Sequence, residues 1–508
     1  MTARPLMIQG TASTCGKSLM CAAFCRIFRR QGYRVAPFKA QNMSNNSFVT
    51  RAGLEMGRAQ VVQAAAAEVE PDVRMNPVLI KPSSDTGAQV VLGGKPAFTM
   101  DAVHWHDTRE QLRGVIREAW NSLSGDYEII VLEGAGSPAE INLKKNDVVN
   151  MGMAAMADAP VLIVGDIDRG GVFASLAGTM QLLDENERER VKGFIINKFR
   201  GDAGLLEPGL RQIEELTGIP VLGVVPWIDH TIDDEDGVSG RFATVHPAAD
   251  AIDICTIRLP HISNFTDFIP LETIPGVSMR WCDRIETFGT PDLLIIPGTK
   301  ATITDLHQLK KSGIADAVKK YADAGGTILG ICGGFQMLGT AITDAANTES
   351  ATCSETGLGL LDMVTRFQSG KTTVQTTAVL NGDASWLFAG ADGVEAAGYE
   401  IHHGRSTFGP SLVPFTQSTA DDGSVRITGV ASPAGTILGT YLHGLFDRRT
   451  VTAALVDAIR QRKGLVKTGA VGPDRIEALN RELDRLAEAV RNAVDMEAIR
   501  RITGVPAR

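Results

Sequence analysis

The sequence has few cysteines and no long apolar run. Its seven cysteines are scattered, and none of them has the CxxC spacing of a zinc or redox pair, which argues against a disulfide framework or a structural metal. No stretch of about 18 uncharged apolar residues occurs. The opening MTARPLMIQG also lacks the apolar segment of a signal peptide. We therefore expect a cytoplasmic protein that does not bind membranes.

Positive charge is also in deficit. Lys and Arg number 50 against 59 Asp and Glu, a formal net charge of −9. This balance argues against broad nucleic-acid affinity but permits a local basic pocket for an anionic ligand. With 44% hydrophobic and 21% charged residues, the composition is that of a packed globular protein. A chain of 508 residues is long enough for two domains and a tail.

Two series of short apolar runs predict an α/β fold with two domains, each built on a mostly parallel sheet flanked by helices. The first series contains LMIQG, YRVAPF, YEIIVLEG, APVLIVGD, VKGFIINK and IPVLGVVP. The second contains IDICTIRLP, PDLLIIPG, GGTILGICGG and TILGTYLHG. An acidic, glycine-bearing segment separates the two series. We predict a first domain over 1–228, a linker over 229–250, a second domain over 251–450 and a helical tail over 451–508.

An amphipathic helix is predicted in this tail. Its apolar residues recur at spacings of three and four, which places them on one stripe: Ile476, Leu479, Leu483, Leu486, Val490 and Val494. We interpret this stripe as the face by which the helix docks on the protein, with a dedicated partner site as the alternative.

The first strand, LMIQG, leads into GTASTCGKS, which has the character of a phosphate-binding loop followed by a helix. Glycines let backbone N–H groups approach phosphate, and a helix N-terminus favours negative charge. Lys17 would reach the outer phosphates of ATP, and Ser18 would offer its hydroxyl to Mg²⁺. The predicted nucleotide-binding residues of this loop are Gly10, Thr11, Gly16, Lys17 and Ser18. Five residues separate Gly10 from Gly16, one more than in the standard loop, and this longer form resembles dethiobiotin synthetase.

Two later strand ends supply further candidates for the nucleotide site. Glu133 ends YEIIVLE, where an acidic ligand for Mg²⁺ belongs, although it could instead cap the next helix. Asn197 follows another strand and is a candidate for contact with the adenine edge, with a simple turn residue as the alternative. Carboxyl ends of parallel strands meet at one sheet edge, where such folds bind ligands.

The segment GTILGICGGFQMLG predicts a nucleophilic cysteine. Cys332 stands between an apolar run and a glycine-rich helix start, where a helix N-terminus stabilises thiolate. His443, at the end of TILGTYLHG, would carry the proton for the leaving group. Backbone N–H groups of Gly298 and Gly333 would face a developing oxyanion. This elbow resembles the nucleophile motif of class I glutamine amidotransferases.

Many such amidotransferases orient the histidine with a glutamate two residues onward, but this chain has Leu445 there. Another carboxylate, water or backbone must then hold the ring. Glu400, in GYEIHHGR, is the candidate that the motif suggests, while His402 and His403 would only shape the pocket.

A phosphate loop followed by a cysteine elbow is a narrow combination, and the chain resembles the cobyric acid synthase family. Four further segments carry the resemblance, which extends over about 6–450: FKAQNMSNNS, AEINLKKNDVVNM, VGDIDRGGVFASL and GYEIHHGR. The sister cobyrinic acid a,c-diamide synthases usually have an aspartate-bearing segment where this chain has Gln41 and Asn42. This difference favours resemblance to the cobyric acid synthase family.

The resemblance implies amidation of the b, d, e and g carboxylates of adenosylcobyrinic acid a,c-diamide with ATP, Mg²⁺ and ammonia from glutamine, without a tightly bound prosthetic group. Lys39 would help to stabilise an acyl phosphate, unless it is only a solvated lysine. Possible substrate contacts are Asn42, Asn45, Asn142, Asp147 and Asn150. The expected partners are small molecules, and homo-oligomers are possible. Alternatives are the a,c-diamide synthase, another glutamine-dependent amidoligase such as a cell-wall lipid amidase, and a partitioning-type ATPase switch, which would not use Cys332.

Overall fold

A computed structural model describes residues 2–83, 87–101, 109–233, 251–345, 347–349, 353–420, 423–467, 469, 472–506 and 508. Most of the predicted linker, residues 234–250, lies outside the described residues. The strands before it are β1 (Arg4–Gly10), β2 (Val35–Phe38), β3 (Gln41–Met43), β4 (Ser47–Val49), β5 (Glu55–Gly57), β6 (Val78–Pro82), β7 (Gly87–Leu92), β8 (Lys95–Asp101), β9 (Ile129–Glu133), β10 (Val161–Asp166), β11 (Val191–Phe199) and β12 (Val221–Pro226).

Helices cover the main sheet of this first domain. They are α1 (Lys17–Arg30), α2 (Arg58–Ala66), α3 (Arg109–Asp126), α4 (Met151–Met156), α5 (Val172–Leu182), α6 (Glu185–Arg190) and α7 (Glu207–Thr217). The sheet has the order β12-β11-β10-β1-β9-β2, and all its pairs are parallel. Its central strands are buried on both faces, which explains why they read as continuous apolar runs. The six strands are the six predicted runs of the first series.

A smaller structure is inserted between β2 and β9. Strands β3, β6, β7 and β8 form a four-stranded sheet, and β4 pairs with β5 in a two-stranded one. These strands are short, and β3 to β5 have three residues each. Strand β4 contacts two strands of the second domain, so this insertion forms part of the interface between the domains.

The second domain contains β13 (Ile252–Ile257), β14 (Val277–Cys282), β15 (Leu293–Ile296), β16 (Ile328–Ile331), β17 (Ala341–Thr343), β18 (Ser354–Thr356), β19 (Met363–Leu380), β20 (Glu395–Phe408), β21 (Val413–Thr419), β22 (Val425–Ala431) and β23 (Ile437–Thr440). Its helices are α8 (Ile269–Glu272), α9 (Thr302–Lys311), α10 (Ile314–Asp323), α11 (Gly333–Leu338) and α12 (Arg449–Arg462). Helix α12 packs its buried apolar face into the core of this domain.

The second sheet has a parallel half and a largely antiparallel half. Strands β14-β13-β15-β16-β23 are parallel, and the sheet continues through β22, β21 and β19 in antiparallel pairs. Strand β20 pairs with β19 over most of its length. The predicted two-domain α/β fold is confirmed, and the four predicted runs of the second series are β13, β15, β16 and β23.

The tail forms α13 (Arg475–Ala493) and α14 (Met496–Thr503), which pack on the first domain. Leu483, Leu486 and Val490 join the core beneath α1, as the predicted docking helix requires. Ile476, at the start of the predicted stripe, is instead 74% exposed. No helix among the described residues is long and apolar enough to cross a membrane.

Candidate active sites

Cys332 occupies a strained turn between β16 and α11. Its φ of 51° and ψ of −110° lie in a region that non-glycine residues rarely adopt. The turn is tight, since a Cβ atom on Gly334 would lie 2.0 Å from the carbonyl oxygen of Ile296. Cys332 is buried and lies at the N-terminus of α11. The backbone thus presents a buried sulfur at the carboxyl end of a parallel strand.

His443 reaches the same place from the neighbouring strand. Strand β16 pairs with β23, and the Cys332 N–H donates to the carbonyl of Thr440 at 2.8 Å, three residues before His443. A Cβ atom on Gly298 would lie 3.2 Å from His443 Cε1, and one on Gly333 would lie 3.1 Å from the backbone nitrogen of Thr299. The structure therefore brings together the four residues predicted for the ammonia-producing site.

Asp267 holds the imidazole of His443. Its Oδ2 lies 2.7 Å from His443 Nδ1, and its Oδ1 accepts from the Gly444 N–H at 3.3 Å. Burial opposes a charged imidazole, but the Asp267 carboxylate and hydrogen bonding to Cys332 outweigh it and raise the pKa of His443 to about 10. The ring of Tyr399 stacks on the imidazole at 5.2 Å. His443 is thus oriented, with Nε2 left for the cysteine.

The suggestion that Glu400 orients His443 is wrong. Glu400 lies 3.3 Å from Nε2 of His402 and pairs with Arg426. The orienting residue, Asp267, is 176 positions from His443 in sequence and stands in the apolar segment NFTDFIPLE. This segment contains two acidic residues, Asp267 and Glu272, and the structure buries Asp267. No sequence spacing links Asp267 to the histidine.

A pocket opens beside Cys332, and both domains line it. Lys81 comes from the first domain, whereas Lys300 and Lys371 come from the second. The other lining residues are Ser263, Asn264, Thr299, Thr302, Gly333, Gln336, Glu349, Phe367, Ile401, His402 and His403. Burial and the nearby lysines lower the pKa of His403 to about 3, which keeps this ring neutral. Three lysines and one glutamate therefore line the pocket around a buried cysteine.

The phosphate loop connects β1 with α1. Gly16 has a φ of 103° and no room for a side chain, because a Cβ atom would lie 2.1 Å from Asn197 Nδ2. Asn197 donates to the Cys15 carbonyl at 2.9 Å, which ties the end of β11 to the loop. Lys17 donates to the carbonyls of Ala12 and Gly136 at 2.9 Å each. The N–H of Thr11 bonds to β10, and Gly10 is closely packed against the loop.

Glu133 is the centre of a buried polar cluster beside this loop. Its Oε1 accepts from Ser18 at 2.8 Å and pairs with Lys39 at 2.9 Å. Its Oε2 accepts from Gln63 at 2.5 Å. No group of three or more His, Cys, Asp or Glu suited to a metal occurs among the described residues. Mg²⁺ bound with nucleotide needs only one or two protein oxygens, and the adjacent Ser18 hydroxyl and Glu133 carboxylate fit that requirement.

The five predicted substrate contacts differ in burial and in hydrogen-bond partners. Asn42 is buried and donates to Gln60 Oε1 at 3.0 Å, whereas Asn142 is exposed. Asp147 accepts three backbone N–H groups at 2.8 Å, and Asn150 bonds to the backbone of Ala135. The Oδ1 atom of Asn45 is buried without a partner among the described residues. The contacts of Asp147 and Asn150 hold a loop, and substrate binding by any of the five stays a prediction.

The inserted strands of the first domain lie against the second domain. Ser47 accepts from the Tyr399 hydroxyl through its carbonyl at 3.0 Å, and its N–H donates to Asn264 at 2.9 Å. Glu55 lies between Lys81 and Lys371 at 2.6 and 2.5 Å. The cysteine pocket consequently faces the first domain, at an interface held by buried polar contacts.

Comparison with known proteins agrees with both halves of the structure. Residues 6–237 match the CobQ/CobB/MinD/ParA nucleotide binding domain, and residues 253–451 match the CobB/CobQ-like glutamine amidotransferase domain. The chain is 50% identical over 497 residues to the cobyric acid synthase of Yersinia enterocolitica, with 97% of each chain covered. It is 48% identical over 502 residues to that of Alkaliphilus metalliredigens, with 98% of this chain and 99% of the other covered. The chain therefore belongs to the cobyric acid synthase family of ATP-dependent glutamine amidotransferases.

Proposed function

We propose that this protein amidates the b, d, e and g carboxylates of adenosylcobyrinic acid a,c-diamide, with ATP to activate each carboxylate and glutamine as the nitrogen source. The observation that carries the proposal is the Cys332, His443 and Asp267 arrangement, whose pocket is shared with the nucleotide-binding domain. A partitioning-type ATPase would have no use for this arrangement.

In the second domain, the Cys332 sulfur attacks the side-chain amide carbon of glutamine. His443 gives a proton to the leaving ammonia, and Asp267 keeps the imidazole in the required orientation. Water then cleaves the thioester and releases glutamate. Backbone N–H groups of Gly298 or its neighbour and of Gly333 would stabilise the oxyanion, because these segments lie against each other at the cysteine.

In the first domain, a corrin carboxylate attacks the γ-phosphorus of ATP and forms an acyl phosphate with release of ADP. Ammonia then replaces phosphate to give the amide. Ser18 and Glu133 would hold Mg²⁺, which when bound neutralises charge on the phosphates. Lys17 stabilises charge on the transferred phosphoryl group. Lys39, fixed by Glu133 at 2.9 Å, is positioned to do the same for the acyl phosphate.

Mass spectrometry of the corrin products tests this function directly. With ATP, Mg²⁺ and glutamine, the a,c-diamide should gain four further amides, and the gain should require all three additions. Amidation of unamidated cobyrinic acid that stops at the a,c-diamide would assign the chain to the sister activity instead. No amidation of either corrin would contradict the proposal.

A further inference from the structure

The pocket beside Cys332 contains more positive charge than its reaction with an amide requires. Lys300 is buried, lines the pocket, and has no acceptor within hydrogen-bond distance of its ammonium group among the described residues. Burial lowers its pKa, and Glu349 partly offsets this effect. A buried ammonium group without a partner is costly. Its position therefore indicates a bound anion.

Lys81 contributes a second ammonium group, from strand β6 of the first domain. Its Nζ donates to Ser47 Oγ at 2.9 Å and to Glu55 Oε1 at 2.6 Å. A lysine ammonium has three N–H donors, so one remains after these two contacts. Because Lys81 lines the cysteine pocket, that donor is available to a ligand there.

The carboxylates near the pocket do not balance the lysines. Glu55 is shared between Lys81 and Lys371. Burial favours its neutral form, but the two lysines outweigh it and hold the pKa of Glu55 well below its usual range. Glu349 is the one acid among the described residues that line the pocket, and burial raises its pKa to about 7. Among the described residues, the three lysines that line the pocket thus outnumber the two acids beside them, Glu55 and Glu349.

Glutamine provides the missing anion. When its side-chain amide meets Cys332, its two methylenes separate the reacting carbon from an α-carboxylate and an α-ammonium group. Glu349 accepts from the Thr302 N–H at 3.1 Å and lines the same pocket. The pocket thus offers lysines to the carboxylate and a glutamate to the ammonium group.

We propose that Lys300 and Lys81 bind the α-carboxylate of glutamine together, one from each domain, with Glu349 opposite the α-ammonium group. The inference rests on the proposed glutaminase function and adds that the first domain completes the glutamine pocket. Glutamine therefore binds tightly only when the domains are docked. Ammonia, which lacks an α-carboxylate, does not depend on these lysines.

Lys81→Met and Lys300→Met are the test variants, and Lys95→Met is the matched control, an exposed lysine on the sheet that contains Lys81. Each test variant should raise the KM for glutamine roughly tenfold to a hundredfold, as expected for a lost hydrogen bond between charged groups. Ammonia-driven amidation should stay unchanged. Glu55 keeps Lys371 as its partner in Lys81→Met, so this variant should fold.

Two alkylating reagents and one substrate separate binding of the α-carboxylate from general damage. Alkylation of Cys332 by a diazoketone analogue of glutamine should slow in both test variants, while alkylation by neutral iodoacetamide should stay unchanged in Lys81→Met. Hydrolysis of γ-aminobutyramide, which is glutamine without the α-carboxylate, should be equally slow in the parent protein and in Lys81→Met. Lys81→Arg should recover part of the affinity for glutamine.

The outcomes distinguish a failure of the proposed glutaminase function from a failure of the shared glutamine pocket. If neither reagent labels Cys332 in the unmodified protein, the proposed glutaminase function itself fails. If Cys332 is labelled but Lys81→Met reacts with the diazoketone at the unmodified rate, the shared pocket is refuted. Equal losses with glutamine, γ-aminobutyramide and ammonia would make Lys81 an anchor between the domains, which also overturns the inference.

Discussion

The two sites differ in how much of the molecule each of them needs. The phosphate site lies within the first domain. Its Glu133 carboxylate accepts hydrogen bonds from Ser18, Lys39 and Gln63. The cysteine site takes its histidine from the second domain, but its pocket includes Lys81 from the first. The two proposals together predict that carboxylate activation depends on one domain, whereas ammonia production depends on the contact between the domains. Variants at the two sites should therefore fail in different ways.

Cys332→Ser should separate the activities of the two sites most completely. A serine hydroxyl is a far weaker nucleophile than a thiolate, so glutamine-driven amidation should be abolished, while amidation with high ammonium salt continues at the parent rate. The measurement is product formation with each nitrogen source. Equal loss with both sources in a folded variant would mean that Cys332 is not a dedicated glutaminase nucleophile.

Lys17→Ala should reduce both activities together. Removal of electrostatic stabilisation from the phosphate site costs roughly 3 kcal/mol, or about a hundredfold in rate. The loss should be the same with glutamine and ammonia, because carboxylate activation comes before nitrogen delivery. Normal amidation rates at saturating ATP would refute the role of Lys17. Glutamine hydrolysis measured alone provides the internal control.

Asp267→Asn should damage only the ammonia-producing site, by roughly tenfold to a hundredfold in glutamine-driven rate, within the range of general acid–base effects. Without the carboxylate, the pKa of His443 should fall from about 10. The pH dependence of Cys332 alkylation by iodoacetamide would report that change. Glu400→Gln is the matched control and should stay within about twofold of the parent, because Glu400 contacts His402 rather than His443. A larger loss in Glu400→Gln than in Asp267→Asn would reverse the assignment.

The same pair should also make stability depend on pH. His443 has a folded-state pKa raised above the unfolded value, so its contribution is fully present below about 6.5 and is lost as pH rises through about 10. The difference in free energy of unfolding between the parent and Asp267→Asn should therefore be largest near pH 6 and shrink toward pH 10. Urea titrations at both pH values measure it. A constant difference would contradict the proposed ion pair.

Strand ends were the predictable part of both sites. Gly10 to Ser18 are contiguous, and Glu133 and Cys332 each end or follow an apolar run that forms a parallel strand. Such runs predict burial, and parallel strands place their ends at one edge. The six strands of the first sheet and four strands of the second followed from this reasoning.

The remaining features depend on contacts between distant segments. Asp267 lies in a short helical segment whose sequence position has no fixed relation to His443. Strands β19 and β20 pair with each other and contact β4 of the first domain, and no local pattern in the sequence predicts that contact. Lys81 reads as an ordinary lysine at a strand end until the insertion is placed against the second domain. Tertiary contact, rather than local pattern, assigns these residues.

Arg475→Ala should give the smallest effect and would show whether the tail supports the cysteine site. Arg475 begins α13, pairs with buried Asp233 at 2.6 Å and donates to the Thr266 carbonyl at 2.7 Å, next to Asp267. Asp233 would keep Arg58 at 2.8 Å, but Asp447 would lose its ion pair with Arg475 at 3.5 Å. The cost should therefore be at least that of a charged hydrogen bond, about 1–3 kcal/mol in free energy of unfolding. Glutamine-driven amidation should fall severalfold, because Thr266 helps to position the segment that holds His443, while ammonia-driven amidation should not change.

The neighbouring exposed residue offers the control, since Ile476→Ser removes no buried contact. Equal losses with both nitrogen sources would mean that the tail supports the whole molecule and not the ammonia-producing site in particular.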